Sequence, residues 1–203
     1  MGNLNLKYFL IMKKLLGLVA GLVLATSASA QINVGANFLI GMPAGDWHKA
    51  GDESFISTAF GGGIEGNYFV MDNLSVGLEI GFNSFGQKDE SGFSVSATPI
   101  VVKGEYYFLD GDLRPFAGLG LGYYLVKMKF DGFPPLIPES DESVNGFGIS
   151  PRVGATYQVS DMVALVLNLN YNILMGQKVD GESVDDATNW MGIGIGARFT
   201  IAD

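Results

Sequence analysis

Met191-Gly192-Ile193-Gly194-Ile195-Gly196-Ala197-Arg198-Phe199-Thr200-Ile201 alternates an apolar side chain with a glycine or a polar one along its whole length. A period of two belongs to an extended strand, whose successive Cβ atoms point to opposite sides. One face here is Met191, Ile193, Ile195, Ala197, Phe199 and Ile201; the other is Gly192, Gly194, Gly196, Arg198 and Thr200. The same reading extends upstream. Val163, Leu165, Leu167, Leu169, Tyr171 and Ile173 stand against Ala164, Asn168, Asn170 and Asn172. Phe147, Ile149, Val153, Ala155 and Tyr157 stand against Ser150, Arg152, Gly154, Thr156 and Gln158, and Val34, Ala36, Phe38 and Ile40 against Asn33, Gly35 and Asn37.

Beyond residue 30 the pattern predicts eight strands, at 32–42, 57–70, 74–85, 93–108, 115–129, 146–158, 163–175 and 189–201, and no stripe of helical period. Each is long enough to cross a bilayer at a tilt, whereas soluble strands average about 5–6 residues. The connections 71–73, 109–114 and 160–162 are short, while 43–56, 86–92, 130–145 and 176–188 are longer. Short turns at one end and long loops at the other are the plan of an outer-membrane barrel with its termini on the periplasmic side.

The polar faces decide between lipid and water. They are rich in glycine and asparagine and poor in Lys and Glu, which does not suit a solvated exterior. Glycine and amides suit the narrow lumen of a small barrel, so the apolar face is left for lipid. A lipocalin-like soluble barrel would carry charges along the outer side of every strand. Aromatic residues are expected to form two girdles: Tyr68, Tyr106, Phe108, Phe116, Tyr157 and Phe199 near the short turns, and Phe82, Phe85, Phe93, Tyr123, Phe147, Tyr171 and Trp190 near the long loops.

Composition agrees. Of 203 residues, 29 are glycine, 48% are apolar and 16% are charged, with a net charge of -9 and no cysteine. So much apolar residue excludes a disordered chain. The absent cysteines exclude a disulfide scaffold, a zinc ribbon and a thiol nucleophile, and the acidic balance argues against nucleic acid. Lys13-Lys14, the apolar run Leu15 to Ala25 and the Ala28-Ser29-Ala30 end predict a signal peptide over 1–30, cleaved after Ala30. Met12 looks like the natural start, which makes residues 1–11 an upstream misassigned start. The barrel domain is then 31–203, with 9 basic against 21 acidic residues and a net charge of -12.

Thr98-Pro99-Ile100-Val101-Val102-Lys103-Gly104-Glu105-Tyr106-Tyr107-Phe108 and the glycine-rich Pro115-Phe116-Ala117-Gly118-Leu119-Gly120-Leu121-Gly122 carry a family resemblance. With the layout of 31–203, they resemble the small eight-stranded outer-membrane barrels, the OmpX-like and OmpA-barrel group and the PorT-like "porin family" barrels of the Bacteroidetes. That resemblance implies an all-β, eight-stranded antiparallel up-and-down transmembrane barrel in a Gram-negative envelope. The chain ends Phe199-Thr200-Ile201-Ala202-Asp203, whereas many such barrels finish on an aromatic residue.

The pleat points Glu65, Glu79, Lys103, Glu105, Arg152 and Arg198 into the lumen. Three carboxylates and three cations can neutralise one another, as buried charges must. The expected result is a lumen plugged by an ion-pair network and a structural or surface-interaction role. A narrow porin-like channel for small solutes or ions is the alternative, since rings of charge also tune ion passage. A second alternative is a lipid A-modifying enzyme using His48, the only histidine, with Ser54, Ser57, Ser84 or Ser91 as the hydroxyl. No local motif selects among these serines, so no enzyme activity, cofactor or metal is expected. Gly61-Gly62-Gly63-Ile64-Glu65-Gly66 matches a dinucleotide fingerprint in letters only, because no helix follows it.

The long loops carry Asp46, Asp52, Glu53, Asp89, Glu90, Asp131, Glu139, Asp141, Glu142, Asp180, Glu182, Asp185 and Asp186 against Lys49, Lys88 and Lys178. Outer-membrane lipid and lipopolysaccharide are the expected partners, through divalent cations or through Lys127 and Lys129. The acidic loops otherwise read as a solvated surface that resists aggregation or, more sharply, as a dock for a cationic or protein partner. The chain is expected to be a monomer.

Overall fold

A computed structural model describes residues 31–45, 49–50, 53–54, 56–87, 93–130, 140–179, 182–184 and 188–202. The leader over 1–30 and its start site lie outside them. Eight long strands follow in order: β1 Ile32–Ala44, β2 Ile56–Met71, β3 Leu74–Gln87, β4 Phe93–Tyr107, β5 Leu113–Phe130, β6 Ser140–Ser160, β7 Val163–Val179 and β8 Asn189–Ala202. Each pairs antiparallel with the next, and β1 pairs antiparallel with β8, so the sheet closes on itself. Closure removes both edges of the sheet, the one arrangement that satisfies every strand's backbone in lipid. Two short pieces, Lys49–Ala50 and Glu53–Ser54, pair with each other, and Glu182–Val184 folds back on β7.

The short-turn end is tight. Asp72-Asn73 and Asp161-Met162 are two-residue turns, and Gly111 takes φ +103°, where a Cβ would be strained. Backbone bonds Phe69 N–H to Gln31 O (3.0 Å), Tyr107 N–H to Asn73 O (2.8 Å) and Thr200 N–H to Met162 O (2.9 Å) stitch this rim.

Pro99 and Pro151 sit in mid-strand, where a missing N–H normally disqualifies proline. Each interrupts one ladder only. The β3–β4 register runs Ile80↔Ile100 and resumes at Asn83↔Ala97, while β4–β5 continues through Pro99↔Tyr124. The β6–β7 register skips likewise from Ile149↔Ile173 to Arg152↔Asn170, while β5–β6 keeps Leu119↔Pro151.

Most strands run one or two residues beyond the sequence reading, and two outrun it by more. β6 begins at Ser140 rather than 146, so Ser140 to Asn145 pair with Phe130 to Leu125 instead of forming loop. β7 continues to Val179 rather than 175. Val144 is the one apolar residue of the β6 extension, and neither extension sustains an apolar alternation, so the ladder continues where the pattern stops.

The pleat sorts the side chains as expected on the outer face. Phe38, Ile64, Leu78, Ile80, Val102, Leu121, Val153, Leu167 and Ile195 are all exposed, a continuous apolar belt around the barrel. The inner face is less polar than its glycines suggest. Ile56, Ala59, Phe85, Val95, Ala97, Val101, Tyr124, Val126, Val144, Leu174 and Trp190 form a buried apolar layer inside the long-loop half. Phe69, Tyr107, Phe116 and Val166 form a second one near the short turns. This corrects the girdle reading at three positions: Phe85, Phe116 and Trp190 are buried inside the barrel. Their parity placed them inward, and counting aromatics by height alone hid it.

Candidate functional site

The six charged residues lie between the two apolar layers, and the ladder brings them together. Glu65 on β2 and Glu79 on β3 are direct register partners, a like-charge pair that would repel. Lys103 on β4 lies against both: its Nζ bonds Glu65 Oε2 and stands 3.6 Å from Glu79 Oε2. It also donates to Glu105 Oε1 at 3.0 Å. Arg152 on β6 donates through Nη1 to Glu79 Oε2 at 2.7 Å and stands 3.8 Å from Glu105 Oε1. Arg198 on β8 grips Glu65 with two bonds, Nε to Oε1 at 2.6 Å and Nη2 to Oε2 at 3.2 Å. Its other contacts, Nη2 to Glu105 Oε1 at 3.2 Å and Nη1 to Glu105 Oε2 at 3.0 Å, complete the cluster.

Glycines make these reaches feasible. Gly118 is register partner of both Glu105 and Arg152, so the two side chains meet over a residue that has none. A Cβ there would lie 2.4 Å from the Gly104 carbonyl oxygen and 3.1–3.2 Å from the stems of Glu105 and Arg152. Gly35 holds the same position between Glu65 and Arg198.

The charges balance, three against three, and all but Glu79 are among the buried residues. Burial of unpaired ions costs several kcal/mol each, and pairing with added hydrogen bonds offsets that cost. Each carboxylate is already held by at least two cations, so none offers a free oxygen set to a metal ion.

Tyr107 belongs to this network although the charge pattern alone does not reveal it. Its Oη donates to Glu105 Oε2 at 3.0 Å and accepts from Arg198 Nη1 at 2.6 Å. The signal was its parity, since Lys103, Glu105 and Tyr107 share the inner face of β4. Arg114, expected in a turn, is the second residue of β5 and lies over the rings of Tyr107 (4.7 Å) and Phe69 (5.4 Å), bonding the Asp72 carbonyl. The Arg198 guanidinium lies 5.5 Å over Phe116. The lower apolar layer is thus faced by a cation on each side.

Above the charges, Trp190 packs edge-on against Phe85 (6.0 Å) and Tyr124 (5.5 Å). Tyr124 Oη donates to Asn172 Oδ1 at 3.1 Å, and Asn172 Nδ2 to Asn170 Oδ1 at 3.2 Å. The pocket between this layer and Glu79, lined by Asn37, Asn83, Asn170 and Asn172, encloses about 10 Å³, about the room of one water.

His48 and Ser91 lie outside the described residues, as does the side chain of Ser54. Ser57 is half-buried, and Ser84 is exposed on the outer row of β3. The loop acids Asp46, Asp52, Asp89, Glu90, Asp131, Glu139, Asp180, Asp185 and Asp186 also lie outside, and the side chains of Glu53, Asp141, Glu142 and Glu182 are not described.

The sequence profile described as "Outer membrane protein beta-barrel domain" matches residues 16–202. No curated protein matches the chain in sequence. Among solved structures it is similar to Neisserial surface protein A, with a TM-score of 0.63 and 16% identity over 85% of this chain and 99% of that one. It is similar to OprG of Pseudomonas aeruginosa (TM-score 0.58, 14% identity, 86% and 97% covered). It is also similar to Ail, the attachment invasion locus protein of Yersinia pestis (TM-score 0.54, 12% identity, 85% and 99% covered). At these identities the likeness is one of fold.

Proposed function

The chain belongs to the family of outer membrane protein beta-barrel domains, and from that premise we propose that it is a closed barrel with a structural or surface-interaction role in the bacterial outer membrane. One observation carries this reading. The neutral cluster of Glu65, Glu79, Glu105, Lys103, Arg152 and Arg198 is enclosed by an apolar layer on each side. A conduit needs a hydrated path, and lumen charges that select ions must be open to them. Here every carboxylate is paired with at least two of the cations and every cation with at least two of the carboxylates. An eight-stranded barrel has an interior that side chains alone can fill.

The working surface is then the long-loop end, where the acids of the connections await a cationic or protein partner. The barrel is read as a monomer, and closure through β1 and β8 supports this only in leaving no sheet edge for a second copy to pair with. Planar-bilayer recording tests the reading: the purified barrel should give no stepwise current. A steady current that shifts with Glu79→Gln would replace it with the narrow-channel reading.

A further inference from the structure

The cations of this chain are sorted by face. Among the described side chains, Lys103, Arg152 and Arg198 are enclosed in the lumen and Arg114 lies at the short-turn mouth. Only Lys127 and Lys129 stand on the outer row. They continue the exposed series Leu119, Leu121, Tyr123, Leu125 of β5, at the long-loop end. Tyr123 packs edge-on against Phe147 at 5.2 Å, an outward aromatic pair just below Leu125, the last apolar side chain of this row and the upper edge of the apolar belt. Lys127 is two residues beyond Leu125, about 7 Å along the strand and about 5 Å along the membrane normal at a usual tilt. The headgroup layer is about 5–8 Å thick on each side, so the Lys127 ammonium sits within it.

Its neighbours are suited to a phosphorylated sugar. The register places Ser96 and Ser143 on either side of Lys127, and Thr98 and Asn145 on either side of Leu125 just below. All four share the outward parity of their strands, which is otherwise apolar toward the bilayer centre. Ser94 and Asp141 are the register partners of Lys129. A lysine flanked by hydroxyl and amide groups offers one charge-assisted donor and several neutral ones.

We infer that this patch of β4, β5 and β6, centred on Lys127, docks the phosphorylated glucosamine headgroup of outer-leaflet lipid A, with the acyl chains lying along Leu125, Tyr123 and Leu121. The occupant follows from position: the row faces the bilayer, and in an outer membrane the anionic headgroup at that height is a phosphorylated glycolipid. The inference rests on the outer-membrane placement and not on whether the lumen conducts.

The test is lipid A retention by the folded full-length barrel in detergent, read by native mass spectrometry. Bisphosphorylated and dephosphorylated lipid A are the two probes. Wild type should retain the bisphosphorylated form in preference, and Lys127→Gln should lower its apparent affinity about fivefold, the usual effect of one lysine at an anionic membrane surface. Lys127→Arg should restore retention, and the dephosphorylated form should not distinguish the variants. Equal retention of both probes, or a Lys127→Gln barrel that retains bisphosphorylated lipid A like wild type, would overturn the inference. Free inorganic phosphate that displaces the lipid completely would also overturn it, because docking then involves no sugar or acyl contact. Any variant must first show the heat-dependent gel shift of a folded barrel. Current through a bilayer would refute the closed-lumen reading and leave this one standing.

Discussion

Arg198 Nε lies 2.6 Å from Glu65 Oε1 although β1 runs between their strands, and the residue of β1 in register with both is Gly35. The pair therefore spans the seam where the last strand meets the first. It ties β8 to β2 over a position that carries no side chain.

A valine at Gly35 should break this arrangement. Its Cβ would lie 2.8 Å from the Ala197 carbonyl oxygen, 3.0 Å from Glu65 Oε1 and 3.1 Å from Arg198 Cγ. Gly35→Val is expected to cost about 1–3 kcal/mol, as overpacking does, in urea unfolding from lipid vesicles. Gly66→Val is the control, since a Cβ there meets nothing within 4 Å; it should stay within about 0.5 kcal/mol of wild type.

Removing one partner of the cluster should hurt more than removing two. Arg198→Met leaves Glu65 and Glu105 short of a cation and is expected to cost about 3–5 kcal/mol. Adding Glu65→Gln should recover part of that loss. A double-mutant cycle reads the coupling directly, and additive losses would deny it.

The outer face makes a separate claim. Leu167 is 57% exposed in the middle of the belt, so Leu167→Arg should cost about 2–4 kcal/mol near the bilayer midplane. The same unfolding assay checks it, and a neutral result would put that face in water.

Much of this was legible in the sequence for one physical reason. A closed barrel repeats one alternation on every strand, so Ile193, Ile195 and Gly194 already state which side is lipid. The six charges were legible because charge on an inward parity must find a partner inside. What stayed hidden lacks that contrast. Tyr107, Phe116 and Trp190 are aromatic on the inner face, and an aromatic residue fits a girdle or a core equally well by type. The extra length of β6, from Ser140 to Asn145, was hidden because a strand beyond the bilayer needs no apolar face. The Gly35 and Gly118 bridges needed the register, which alternation within one strand does not supply.

The central claim is that the charge cluster is shut away from water on both sides, and thiol labelling tests it most directly. The chain has no cysteine, so Ser150→Cys places a single thiol in the lumen at a site with 0% exposure. Asp110→Cys, in the exposed short turn, serves as the reference. With a charged, membrane-impermeant thiol reagent on the folded barrel, the Asp110→Cys thiol should react within minutes and the Ser150→Cys thiol only after unfolding. Rapid labelling of the Ser150→Cys thiol in the folded protein would contradict the closed lumen.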